Sequence, residues 1–226
     1  MANFKILSRD HVNYVEAYIQ NEAIMTESGA MRYMHGNVVM NSKVPGLKNL
    51  IQSTLSGTTI FKPTFEGTGK IILVSSFNEF YELMLQDDSY ILESNSYWAS
   101  EISVNIAAYV NNFFTGMMSG TGFVQPHVTG TGKVIISSPG VLEKVELIND
   151  RLVVNGPYII ARSANLQFSI QKPTKSIMGT LSSGEDFFVQ VLEGTGSVYL
   201  APIPNKNILM TQMMENAMLV CMKQKK

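Results

Sequence analysis

Several side chains and spacings in this chain could do chemistry. Gly67-Thr68-Gly69-Lys70 has the outline of a phosphate-binding turn. A phosphate loop also needs a glycine five residues before its last glycine, and Ser or Thr after the lysine, at the opening of a helix. Thr64 and Ile71 occupy those places, so the segment reads as a β-turn. Gly130-Thr131-Gly132-Lys133 fails the same test, with Val134 next. His11, His35 and His127 show no His-x-His or Glu-x-x-His spacing, which leaves a metal site without ligands. No Gly-x-Ser-x-Gly elbow presents a nucleophilic serine. The single cysteine, Cys221, lies in an apolar stretch and reads as an inert thiol, because reactive thiols need an electropositive, exposed setting.

One constellation is sharper. Glu16, Glu82 and Glu146 stand at matching places in three similar segments. If those segments surround a threefold axis, the carboxylates converge, raising one another's pKa or holding a cation. Their apolar/polar neighbours equally suit an outward strand face. The chain is therefore read as a non-enzyme, with no catalytic, cofactor-binding or metal-ligating residue assigned and no cofactor expected.

The elements that would position these residues follow from a repeat. Gly-Thr-Gly occurs at 67–69, 130–132 and 194–196, and the likeness extends without gaps from Ser56, Ser119 and Ser183. A looser block starts at Val15, Tyr81 and Lys144, each time an apolar run, a polar centre (Gln20-Asn21-Glu22, Gln86-Asp87-Asp88, Asn149-Asp150) and another apolar run. The repeats span about 12–76, 77–139 and 140–203, with a period of about 64 residues. Both blocks carry hairpin signals: short β-branched and aromatic runs around residues that tolerate positive φ. Pro63 and Pro126, at equivalent places before the glycines, mark edge strands or bulges, since proline cannot donate to a ladder. Gly46–Leu55 has room for one or two helical turns. After Pro204, residues Asn205–Lys226 read as a C-terminal α-helix, with Met210, Met214, Ala217 and Cys221 on one face. The expectation is an all-β domain over 1–204 and a helix over 205–226.

Composition narrows function. Of 226 residues 45% are hydrophobic and 15% charged, a balance that suits a folded core and not a disordered chain. A net charge of −1 supplies no field for a polyanion, so nucleic acid is not an expected partner. Lys223, Lys225 and Lys226 read as a solvated tail. The N-terminus has no apolar signal core, and Asp10 and Glu16 come early for a transit peptide. No run reaches the ~18 apolar residues that span a bilayer, so a cytoplasmic location is expected.

Three segments carry a family likeness: Ser28–Lys43 (SGAMRYMHGNVVMNSK), Leu152–Gln171 (LVVNGPYIIARSANLQFSIQ) and the Gly-Thr-Gly blocks. Over about residues 4–203 the chain resembles the "altered inheritance of mitochondria" family of TRAP-like proteins. The resemblance implies a β-sandwich or double-stranded β-helix prism like that of the tryptophan RNA-binding attenuation protein. It also implies a homo-oligomer, with a trimer as one option. Eukaryotic members are mitochondrial and linked to inner-membrane organisation; without a transit peptide this chain looks like a bacterial-type member. The family supplies no catalytic residues to transfer, and the basic pairs that bind RNA in the attenuation protein have no repeated counterpart here. The functional expectation is a non-enzymatic homo-oligomeric scaffold or assembly protein with an unidentified protein partner. Two alternatives stand beside it: a small-ligand module using crevices between repeats, and peripheral membrane contact through the terminal helix.

Overall fold

Along Val12–Thr26 the buried residues are first odd-numbered (Asn13, Val15, Ala17, Ile19) and then even-numbered (Ile24, Thr26). A strand alternates strictly, so one extra residue must sit between the two halves. That residue is Asn21, at φ 54°. The same change of phase runs through Glu79–Leu92, from Leu83 and Leu85 to Tyr90 and Leu92, around Asp87 at φ 61°. It recurs in Glu143–Asn155, where Leu147 and Val154 are buried on either side of Asn149 at φ 50°.

The computed structural model describes residues 2–41, 62–111, 123–171 and 189–204. These form twelve strands in one antiparallel sheet network, which fall into three sets of four. The first set is β1 (Asn3–Arg9), β2 (Val12–Thr26), β3 (Met31–Asn41) and β4 (Thr64–Leu73). The second is β5 (Glu79–Leu92), β6 (Tyr97–Glu101), β7 (Val104–Asn111) and β8 (Phe123–Ser138). The third is β9 (Glu143–Asn155), β10 (Ile159–Ser163), β11 (Gln167–Gln171) and β12 (Val189–Leu200). No helix occurs among the described residues, and the expected helical turns at Gly46–Leu55 and helix at Asn205–Lys226 lie outside them.

Each Gly-Thr-Gly lies inside a long strand, β4, β8 or β12, and not at a chain reversal. Likewise β2, β5 and β9 run straight through their polar centres. The two expected hairpins per repeat are thus corrected: the two turn-like segments face each other across one strand pair. The register slips by one residue there, between Gln20 and Glu22, between Gln86 and Asp88, and between Gly194 and Gly196. Residues of positive φ bend a strand as readily as they reverse it, and a bulge uses them to add twist.

A hydroxyl closes each bulge. The backbone N–H of Asn21 donates to Thr68 Oγ1 at 3.0 Å, that of Asp87 to Thr131 Oγ1 at 3.1 Å, and that of Asn149 to Thr195 Oγ1 at 2.9 Å. The glycines leave room for the strand on the other side. Gly67, at φ 128°, lies where an added methyl would overlap the carbonyl oxygen of Asn37 on β3. A methyl on Gly132 would lie 2.6 Å from Ser103 Oγ and 3.0 Å from Glu101 Oε2. Glu101 Oε2 accepts the N–H of Lys133 at 3.0 Å, and Ser163 Oγ accepts that of Ser197 at 2.9 Å. Pairing of β8 with β5 ends at His127, so Pro126 falls where no ladder bond to β5 is required.

Adjacent sets are stitched by short strands. β6 pairs with β2 of the first set (Ala99↔Thr26, Ser100↔Met25, Glu101↔Ile24). β10 pairs with β5 of the second set (Ala161↔Leu92, Arg162↔Ile91, Ser163↔Tyr90). The cores follow the same order. The first gathers Val15, Ala17, Ile24, Phe65 and Ile71 with Phe80, Ala99 and Ile135 of the second set. The second gathers Leu85, Tyr97, Val128 and Val134 with Ile160, Ala161 and Ala201 of the third. The third contains residues of its own set alone, among them Leu147, Leu192 and Val198.

Thr68→Val is expected to remove the bulge bond and lower stability by about 1 kcal/mol. Gly67→Ala is expected to cost more, roughly 1–3 kcal/mol, by forcing β3 from β4. Urea unfolding midpoints measure both, and equal losses would contradict the steric role of Gly67.

Candidate functional site

The residues singled out by type are dispersed. His11 (φ 62°) lies exposed in the turn between β1 and β2, and His35 is exposed on β3. His127 on β8 is half-buried, with Nε2 2.7 Å from Ser89 Oγ. Burial, and after it the charge of Arg162, holds its imidazole below the ordinary value. Glu16, Glu82 and Glu146 are each held within their own set. Glu16 pairs with Lys70 at 3.6 Å and Glu82 with Lys133 at 3.3 Å. Glu146 pairs with Lys144 and accepts Ser197 Oγ–H at 2.7 Å. The hydrogen bonds from Lys144 and then Ser197 lower its pKa, the reverse of what convergence would do. Among the described residues no three His, Cys, Asp or Glu side chains come together to hold a metal. Cys221 lies outside the described residues.

The junctions between sets hold the buried charges instead. Just past the end of β2 stands Glu27, whose Oε1 accepts the N–H of Ser28 at 2.9 Å. Just past the end of β5 stands Glu93, whose Oε1 accepts the N–H of Ser94 at 2.7 Å. Glu27 forms an ion pair with Lys62, whose ammonium lies 5.0 Å from the centre of the Tyr97 ring of the second set. Glu93 is more enclosed, at 7% exposure. Its backbone N–H donates to the carbonyl of Ile160 on the third set at 2.8 Å, and its Oε2 faces Gln125 Nε2 at 3.4 Å. In the third set Asn155-Gly156 takes the place of the Glu-Ser pair.

Arg162 on β10 completes the second junction. It is 3% exposed, and its guanidinium lies 5.4 Å from the Tyr109 ring centre and 4.6 Å from that of Phe168. Arg162 also makes a side-chain hydrogen bond with Tyr109, but aromatic faces as such satisfy none of a cation's N–H donors. Among the described residues, Arg162 Nη2 and Gln125 Oε1 are buried without a hydrogen-bond partner. Burial lowers the Arg162 pKa. Burial also pushes the Glu93 carboxyl up to about 8, against the opposing pull of the Ser94 and Gln125 hydrogen bonds and the Arg162 charge. Among the described residues the junction thus holds a carboxylic acid that stays protonated near neutrality, one unpaired donor atom and one unpaired acceptor atom. Such a set can take a small polar guest or a water.

Sequence reading passed over this site. The Glu-Ser pairs stand at the ends of the repeated apolar runs, and nothing in one strand tells a buried glutamate from a solvated one. The available signal was the paired recurrence of Glu-Ser at 27–28 and 93–94.

A pH dependence follows. The unfolded Glu93 carboxyl loses its proton near 4.5, whereas the folded one keeps it to about 8. Between these values the folded state holds more protons, so stability falls as pH rises through the window and levels off above it. The drop attributable to this group is on the order of 5 kcal/mol at most. In Glu93→Gln that part of the slope is expected to vanish. Denaturation midpoints between about pH 5 and about pH 8.5 decide it, and an unchanged slope in the variant would exclude Glu93 as its source.

Among the described residues no helix is long and apolar enough to cross a membrane. Among curated proteins none matches the chain. Seven chains of solved structures match it. One is the crystal structure of protein SPYM3_0169 from Streptococcus pyogenes, with a TM-score of 0.72 and 22% identity over 95% of this chain and 99% of that one. At that identity this bacterial neighbour speaks to fold alone. The family model described as "Mitochondrial biogenesis AIM24" matches residues 4–203. With nearly the whole chain inside that match, the protein belongs to the mitochondrial biogenesis AIM24 family.

Proposed function

We propose that this protein is a non-enzymatic scaffold or assembly protein that acts as a homo-oligomer. On this reading its three strand sets are copies of one TRAP-like unit, built as a prism. The recurring bulge and its threonine bond support the repeat. The observation that carries the oligomer is an apolar strand surface facing solvent. On β3, Tyr33 is 47%, Met34 40%, Val39 53% and Met40 40% exposed, and on β9 Ile148 is 81% exposed. Edge strands of soluble proteins are ordinarily blunted by charge or proline, and an apolar one calls for cover. Light scattering on the full chain, beside a chain ending at Pro204, is expected to give a discrete oligomer for the full chain. Monomers in both would overturn the reading.

A small-ligand role between the sets has one observation in its favour, the unpartnered Arg162 Nη2 and Gln125 Oε1. If it holds, small carboxylates or amides should raise the melting temperature of the native chain. The same compounds should leave Arg162→Met unshifted.

A further inference from the structure

Two contacts between sets share one pattern. In both, a short strand lies beside the C-terminal end of its own set's Gly-Thr-Gly strand, passes a bulge, and pairs with the preceding set. In the second set the bulge separates Tyr97↔Ile136 from Ala99↔Ile135, and Ala99-Ser100-Glu101 pairs with the first set. In the third it separates Ile159↔Leu200 from Ala161↔Tyr199, and Ala161-Arg162-Ser163 pairs with the second set. The first set has the same bulge, between Met31↔Leu73 and Tyr33↔Ile72, which puts Tyr33-Met34-His35 in the equivalent place. β3 ends the strand order, and among the described residues these three pair with nothing beyond β4.

The receiving half is also left over. Ile24–Thr26 and Tyr90–Leu92 receive short strands. Their counterpart by register with the Gly-Thr-Gly strand is Leu152-Val153-Val154, where Leu152 faces Leu192 as Ile24 faces Phe65 and Tyr90 faces Val128. Among the described residues β9 pairs with β12 alone. Met34 and Val153 are 40% and 37% exposed, while Ser100 and Arg162, at the place of Met34 in the other sets, are buried. The core tells the same story, since the third core is the one that takes nothing from another set.

We propose that these two edges are the halves of one interface, and that a second copy of this chain fills it head to tail. Tyr33-Met34-His35 of one chain pairs antiparallel with Leu152-Val153-Val154 of the next, Met34 opposite Val153. The contact repeats the two inside the chain and adds Tyr33 to the third core. It lacks the buried charges of the internal junctions, because Met34 stands for Arg162 and Asn155 for Glu93. Two copies joined reciprocally satisfy both edges and close the assembly. The proposal rests on the homo-oligomer reading and names its surface.

The test uses the full chain. Met34→Lys and Val153→Lys each place a charge on an exposed edge position, and circular dichroism checks that both fold. Light scattering is expected to find the wild type associated and each variant dissociated to monomer. In a Cys221→Ser background, Met34→Cys and Val153→Cys chains mixed together should form a disulfide between chains. A wild-type oligomer unaffected by either lysine overturns this pairing alone and leaves the homo-oligomer reading standing. A chain carrying both Met34→Cys and Val153→Cys in the same background, if its disulfide closes within the chain at monomer mass, also overturns it. A monomeric wild type overturns both.

Discussion

A threonine hydroxyl bonded to the backbone N–H of a positive-φ Asn or Asp holds each long strand pair together at its weakest point. Without it the extra residue in β2, β5 or β9 would leave a donor unmatched in the ladder. With it, one residue shifts the inside-outside phase of a whole strand half. Ile19 and Ile24 are both buried although they differ in parity, and so are Leu85 and Tyr90. The apolar residues of three cores depend on that shift. The glycines flanking each threonine serve the same arrangement by letting a third backbone, or a side chain such as Glu101, approach closely.

The sets then join in series. A short strand leaves its own set and completes the preceding one, so each junction mixes backbone pairing with a shared core. The polar side chains caught there differ between junctions, and this is the physical source of their different chemistry. Glu27 has the direct countercharge of Lys62. Glu93 has an amide and the charge of Arg162, and desolvation governs its protonation. A serial joint also has two ends, and the exposed apolar residues Tyr33 and Met34 lie at one of them.

Much of this was legible in the residues. The three Gly-Thr-Gly blocks, the matching Asn21, Asp87 and Asn149, and the alternation around them pointed to an all-β chain. The bulges were misread because Asn, Asp and Gly report only a tolerance for positive φ. Whether such a residue reverses a chain or kinks it depends on what lies opposite, and the two signals lie 44 to 47 residues apart in sequence. The matching of Glu16, Glu82 and Glu146 was likewise real as a pattern. Each carboxylate, however, faces a partner on a strand of its own set, and no threefold centre collects them.

By itself the sequence determined the strand content, the family and the places where the backbone must leave regular φ, because these follow from side-chain shape and local periodicity. Tertiary structure alone decided which strand crosses to which set, and so which glutamate loses its water. It also decided which apolar edge remains facing solvent. Those outcomes rest on contacts between residues far apart in the chain, and a side chain's exposure and charge state are set by its neighbours in space.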